Sequence, residues 1–327
     1  MDDREKLMSN NIGEGDVIAK YSSAVKRVIE NVSKKVIGKK KEIELIIATL
    51  LSNGHVLLEG VPGVAKTLIA KCIAISLGLD FKRVQATPDL LPSDIIGVNI
   101  FDPRSGRFVF KKGPVFTNIL FVDEINRSPP KTQSALLEAM QERQITVEGI
   151  TYKLPEPFLV IATMNPIEIE GTFPLSEAQV DRFMSKIEIG YPTLEETVEI
   201  LDRYESIVDL SDLKPVLSRE EVLELIDLSS RIYVDTNIKK YIAAIVEATR
   251  RHPMVRLGAS PRGAIALYTL SKAIALMRGR DYVIPDDVKY IAHATLSHRI
   301  ILKSEARISG ITVNDVINNV LEKVEVP

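Results

Sequence analysis

Residues Gly60-Val-Pro-Gly-Val-Ala-Lys66-Thr67 stand directly behind a short apolar run, His55 to Glu59, and directly ahead of a helical stretch, Leu68 to Leu77. A strand, a glycine-rich loop and a helix in this order constrain the chain more than any other feature. Backbone N–H groups of such a loop, with the positive end of the helix dipole, converge on phosphate oxygens. The loop residues Gly60, Pro62, Gly63, Val64, Ala65, Lys66, Thr67 and Leu68 are therefore candidate nucleotide contacts. Lys66 has the reach for the β- and γ-phosphates, and the Thr67 hydroxyl is a candidate Mg²⁺ ligand. The strict spacing G-x-x-x-x-G-K-[ST] puts glycine before the lysine, where this chain has Ala65. Alanine tolerates helical dihedrals, so the exchange fits if Ala65 already belongs to the first helical turn. A chance Gly/Lys/Thr turn would give the same letters in isolation, so the rest of the chain has to decide.

Five runs rich in β-branched and aromatic residues predict buried strands: His55–Glu59, Phe81–Gln85, Asn118–Val122, Phe158–Thr163 and Lys186–Ile189. Helical patterns alternate with them at about Ile43–Asn53, Leu68–Leu77, Lys131–Gln141 and Ser176–Phe183. Strand–helix alternation with short connections predicts an α/β fold, a five-stranded parallel sheet covered by helices on both faces. Ligands of such sheets bind beyond the carboxyl ends of the strands. Two insertions break the alternation. Val98 to Phe110 reads as a β-hairpin around the turn Asp102 to Gly106, and Gln144 to Leu154 as another around Glu148-Gly149. Periodicity alone favours edge decorations for both.

After Pro192 the strands nearly stop, and Leu194–Tyr204, Arg219–Ile232, Asn237–Arg250, Pro261–Met277 and Pro285–Leu296 carry apolar residues at helical spacing. The expected organisation is a loose polar tail over residues 1–16, a nucleotide-binding core over 17–193, and an all-helical second domain over 194–327. The length of 327 residues suits two domains at about 100–200 residues each.

Composition makes several classes unexpected. A net charge of −2 gives no electrostatic footprint for strong nucleic-acid binding. Uncharged apolar stretches such as Leu45 to Leu58 fall short of the about 18 residues a membrane span needs. The first residues, Met1-Asp-Asp-Arg-Glu-Lys, lack the apolar core of a signal peptide, so a cytoplasmic location is expected. The single Cys72 falls on the helix after the loop and is assigned to packing. His55, His252, His293 and His298 show no metal-binding spacing, and no G-x-S-x-G esterase elbow occurs.

Ile119-Leu-Phe-Val-Asp123-Glu124 is an apolar strand ending in two carboxylates. Asp123 at the strand mouth can hold Mg²⁺ through water, and Glu124 can orient an attacking water. Leu159-Val-Ile-Ala-Thr-Met-Asn165 ends in an amide suited to a γ-phosphate or the lytic water, or to an ordinary loop before proline. Ser176 and Gln179 form a capping box, and that helix ends in Arg182, a candidate for stabilising charge that builds on phosphoryl oxygens. Arg262, in Ser260-Pro-Arg-Gly, is a second candidate phosphate contact. Phosphate loop and paired carboxylates together indicate a nucleoside triphosphatase; the absence of Asn-Lys-x-Asp disfavours GTP.

These residues resemble the AAA+ ATPases, and most closely the MoxR group. The resemblance rests on residues 60–67, on Thr87-Pro-Asp-Leu-Leu-Pro-Ser-Asp94, on Asp123-Glu-Ile-Asn-Arg-Ser-Pro-Pro-Lys-Thr-Gln133 and on Glu170 to Phe183. Ala65 is itself usual in MoxR proteins. The resemblance implies an AAA+ αβα P-loop core followed by an all-helical lid domain. It assigns Lys66 and Thr67 to Walker A, Asp123 and Glu124 to Walker B, and Asn165 to the first sensor. Arg182 becomes an arginine finger for the neighbouring subunit's ATP, and Arg262 the second sensor. Val36, Ile37 and Gly38 line the adenine pocket. The hairpins become the helix-2 insert and the pre-sensor-1 hairpin, which reverses the reading as decoration. A finger acting in trans implies an oligomer, and the resemblance implies a homo-hexameric ring with ATP and Mg²⁺ as cofactors. It further implies a chaperone-like action on protein clients, often beside a partner carrying a von Willebrand factor A domain. A nucleic-acid motor using the hairpin residues Arg104, Arg107, Lys111 and Lys112 is the alternative.

Overall fold

The computed structural model describes residues 11–165 and 171–327. Strand β1 (Val56–Glu59) and β2 (Phe81–Gln85) are followed by a hairpin of β3 (Gly97–Asp102) and β4 (Arg107–Lys112). Next come β5 (Ile119–Asp123), a second hairpin of β6 (Gln144–Val147) and β7 (Ile150–Lys153), then β8 (Leu159–Met164) and β9 (Ser185–Glu188). The main sheet has five strands in the order β2-β5-β8-β1-β9, all parallel. Each predicted strand is present to within a residue or so at its ends.

Burial explains the arrangement. Ile119, Leu120, Phe121 and Val122 of β5 and Leu159, Val160, Ile161 and Ala162 of β8 are essentially inaccessible, as strands covered on both faces must be. Edge strand β2 instead exposes Lys82, Arg83 and Gln85. One face of the sheet packs on the helices Lys40–Leu51 and Lys66–Ser76, the other on Pro130–Glu142. Helix Lys40–Leu51 buries all of Leu45 to Leu51, the pattern of a helix enclosed on nearly every side.

Three expectations change. A helix spans Asn11–Ser33, so residues 11–16 of the expected tail are helical; residues 1–10 lie outside the described residues. Its apolar stripe of Ile18, Tyr21, Val25, Val28 and Val32 is buried, and Ser22 Oγ donates to Met277 O at 2.8 Å. The second domain carries the predicted helices Arg219–Arg231, Thr236–Arg251, Pro261–Met277 and Pro285–Leu296, but is not all-helical. Two short strands, β10 (Val255–Leu257) and β11 (Ile301–Leu302), pair antiparallel within it. The stretch Ser176–Phe183 forms only one helical turn, Glu177–Val180, and Arg182 lies in the turn beyond it.

Both hairpins form as predicted. Glu148 and Gly149 have φ of +49° and +82°, as a two-residue turn of the favoured twist demands. The hairpins also touch each other. Phe110 stacks on Tyr152 with ring centroids 4.3 Å apart, and Asn99 Nδ2 donates to Glu148 Oε2 at 2.7 Å. Among the described residues no helix is long and apolar enough to cross a membrane.

One buried group makes folding pH-dependent. His55, at the foot of β1, accepts from Val160 N–H at Nδ1 and donates from Nε2 to Met140 O. Burial holds its pKa down at about 3, so the folded ring stays neutral. The unfolded chain, titrating near 6.5, takes up the proton first as pH falls. Stability complete above that value is then lost on acidification, by about 2 kcal/mol between pH 7 and pH 5 from this group. Denaturant unfolding at both pH values checks this. A His55→Gln chain should lose less stability over the same interval, by that amount; equal losses would contradict it.

Candidate functional site

The loop after β1, the carboxylates ending β5 and the amide ending β8 meet at the carboxyl edge of the sheet, because the strands run parallel in adjacent register. Pro62, Gly63, Val64, Ala65, Lys66, Thr67, Leu68, Asp123, Glu124 and Asn165 line one cavity of about 390 Å³. Ten of the predicted site residues are thereby brought together. Gly60 does not line it; the loop passes so close to Ile189 O that a Cβ would sit 2.5 Å away, which explains the glycine.

Ala65 is not in the first helical turn. It is the N-cap of Lys66–Ser76 with φ +63° and ψ +20°, the left-handed region. That conformation costs a side-chain-bearing residue about 1–3 kcal/mol, and it is why the strict pattern asks for glycine here. The helix that starts there buries Ile69, Ala70, Cys72, Ile73 and Ala74, which holds the turn in place. Burial pushes the Cys72 thiol up to about 11, in keeping with a packing role. Lys66 Nζ donates to the loop carbonyls of Gly60 and Val61, so the ammonium lies over the loop.

The carboxylates are held by residues that the sequence patterns did not single out. Thr163, fully buried on β8, donates to Asp123 Oδ1 at 2.7 Å and accepts the Glu124 N–H at 2.8 Å. Arg83 Nη2 reaches Asp123 Oδ2 at 2.7 Å, and Gln85 Nε2 reaches Glu124 Oε2 at 3.1 Å. Arg127 Nε pairs with the same Glu124 oxygen at 3.1 Å. Glu124 itself is left-handed, φ +55° and ψ +52°. The one available signal was alternation on β2: Arg83 and Gln85 share a face, and β2 lies beside β5 with Gln85 opposite Asp123.

A second pocket of about 190 Å³ adjoins the first and shares Gly63, Val64, Ala65 and Leu68 with it. Val36, Ile37, Pro192, Ile200, Ile207 and Val208 make it apolar, as a heterocyclic base requires. Gly38 is absent from its lining. Gly38 has φ +74° and faces the Glu196 carboxylate, which a Cβ would meet at 2.0 Å.

Neither Arg182 nor Arg262 lines either pocket. Arg262 is tied instead to the segment that carries Arg182. Arg262 Nη1 stands 3.9 Å from the carboxylate of Asp181, the residue preceding Arg182. Thr67 and Asp123 offer a hydroxyl and a carboxylate to one cavity, a donor set that fits Mg²⁺, which takes few protein ligands and leaves the rest to water and phosphate.

A phosphate loop on a parallel αβα sheet, with a mostly helical companion domain, defines a nucleotide-binding module of the AAA type. The sequence pattern of the ATPase family associated with various cellular activities (AAA) matches residues 55–185, and that of the AAA lid domain matches 247–320. The chain is 47% identical over 301 residues to the uncharacterized protein YeaC of Bacillus subtilis, covering 92% of this chain and 94% of that one. It is 43% identical over 324 residues to Chaperone MoxR1 of Mycobacterium tuberculosis, covering 96% and 85%. A crystal structure of a provisionally assigned ATPase from Cytophaga hutchinsonii, 43% identical, superposes with a TM-score of 0.90 over 98% of this chain and 99% of that one. The chain belongs to the MoxR family of AAA+ ATPases.

Proposed function

We propose that this protein hydrolyses Mg²⁺-ATP in a cleft that a neighbouring copy completes, within a ring that remodels client proteins. One observation carries the reading: Lys66, Thr67, Asp123, Glu124 and Asn165 line one cavity, while Arg182 and Arg262 lie outside it, Arg262 facing the carboxylate of Asp181. In this reading Lys66 and the loop amides, the Walker A part, bind the β- and γ-phosphates. Thr67 and Asp123 hold Mg²⁺, which neutralises developing phosphate charge when bound. Glu124 orients the lytic water, and Asn165 contacts the γ-phosphate or that water. Val36 and Ile37 receive the adenine. Arg182 and Arg262 are delivered to the cleft of the next subunit, where a guanidinium stabilises the transferring phosphoryl group.

A chaperone-like role is supported by the name of the mycobacterial relative, Chaperone MoxR1. The hairpins are the parts shaped to touch a client: Phe101 and Phe108 pair edge to face at 5.6 Å and are 56% and 72% exposed. A nucleic-acid-stimulated motor is the second reading, favoured by the exposed Arg104, Arg107, Lys111 and Lys112 around those rings. It requires ATPase stimulated by DNA or RNA, with a steep salt dependence.

Calorimetric titration with ATP tests the binding half of the reading. Lys66→Ala should weaken ATP binding by about 10- to 100-fold, the loss of charge-assisted hydrogen bonds. Unaltered affinity would remove the loop from its assigned role.

A further inference from the structure

The turn that carries Arg182 is anchored in the core by Phe183, which is fully buried, and by Met184 N–H on His55 O at 2.9 Å, but its own helix gives it little support. The preceding helix is the four residues Glu177–Val180, and Arg182 N–H reaches Gln179 O only at 3.3 Å. A single turn of helix is not self-supporting. From the lid side it is held by His298, whose Nε2 donates to Phe183 O at 3.0 Å, and above all by Arg299, at the end of the lid segment Ser297–Arg299 and only 6% exposed.

Arg299 uses every donor of its guanidinium, four of the five bonds going to residues 181–184. Nε donates to Asp181 Oδ1 at 2.8 Å, and Nη2 to the carbonyls of Asp181 at 3.2 Å and Phe183 at 2.7 Å. Nη1 donates to Met184 O at 3.2 Å and to Thr295 O. The carbonyls on both sides of Arg182 are thus pinned by one lid side chain. The Asp181 carboxylate also accepts from Ser260 Oγ at 3.1 Å and faces Arg262 at 3.9 Å. A single carboxylate therefore joins the residue before Arg182 to the helix start that presents Arg262.

A buried ion pair contributes little net stability, because desolvation offsets attraction; its best-attested use is to fix one arrangement among several. We infer that Arg299 and Asp181 are positioning residues that hold Arg182 and Arg262 as one unit, so that the lid dictates how both guanidiniums are offered to the next subunit's phosphates. This rests on the reading of Arg182 as a group acting in trans. The fork geometry matters: lysine keeps the charge but brings three donors on a point ammonium, which cannot span the carbonyls of residues 181, 183 and 184. Misplacement of a catalytic group by about 1 Å costs about 100-fold in rate.

Arg299→Lys should therefore lower kcat by about 100-fold while ATP affinity, measured by titration, stays at the wild-type value. Asp181→Asn, which keeps an oxygen for Arg299 but drops the charge facing Arg262, should lower kcat less, by about 10-fold, and serves should the first variant fail to fold. The deciding experiment mixes each variant with Glu124→Gln subunits. The variant supplies an intact cleft and the Glu124→Gln neighbour an intact arginine pair, so a one-to-one mixture should recover about a quarter of wild-type activity at random assembly. Recovery supports the positioning role, since a merely weakened fold would not be rescued this way. Wild-type kcat in both variants overturns the proposal. So does a loss that mixing leaves unrescued while Arg182→Ala, mixed in the same way, recovers. If Arg182→Ala also fails to recover, the trans reading itself falls, and this inference with it.

Discussion

Arg182→Ala should cut kcat by about 1,000-fold or more, the range over which an arginine finger acts in phosphoryl transfer. ATP affinity should change little. Arg182 lines neither the phosphate cavity nor the apolar pocket of its own chain. Removing it leaves every group around its own nucleotide in place, so the loss belongs to turnover alone. Steady-state ATPase assays with ATP titration separate the two. Parallel loss of binding and turnover would show that Arg182 serves its own cleft or the fold.

Glu124→Gln should lower kcat by about 100- to 10,000-fold, the usual contribution of a positioned general base, and keep ATP bound. Glu124 is held in the left-handed region by the Thr163 hydroxyl on its N–H, with Gln85 and Arg127 on its carboxylate. An amide retains that shape and can still accept from Gln85 and Arg127, but cannot take a proton from water. Under the proposed function, retained binding with lost turnover would also make this variant a trap for clients. Unchanged hydrolysis would assign the base to another residue.

The parts of the site that lie in one segment were legible in the sequence. The loop at 60–67 and the apolar runs ending at Asp123 and Asn165 state their geometry locally, because a buried parallel strand must deliver its last residue to the sheet's carboxyl edge. What pairing between distant segments decides was not legible. Arg83 and Gln85 meet Asp123 and Glu124 only because β2 lies beside β5, and Thr163 ties the Asp123 carboxylate to the Glu124 N–H only because β8 lies on the other side. Arg299 gave no signal at all, since its partners around Arg182, the Asp181 carboxylate and the carbonyls of residues 181, 183 and 184, are 115 or more residues away. The handedness of Ala65 was misjudged for a related reason: tolerance for helical dihedrals says nothing about the turn that the buried strand and helix impose on the residue between them. Residues 11–16, the start of the helix Asn11–Ser33, were read as tail because they are polar and contain two glycines, and the apolar stripe begins only at Ile18.

The central claim is that the ATP cleft is unfinished in a single chain. Measuring ATP turnover per chain across a dilution series, with mass determined at each concentration, tests it most directly. Turnover should fall toward zero as the assembly dissociates to single chains and return on concentration. Single chains that hydrolyse ATP at the rate of the assembly would contradict it.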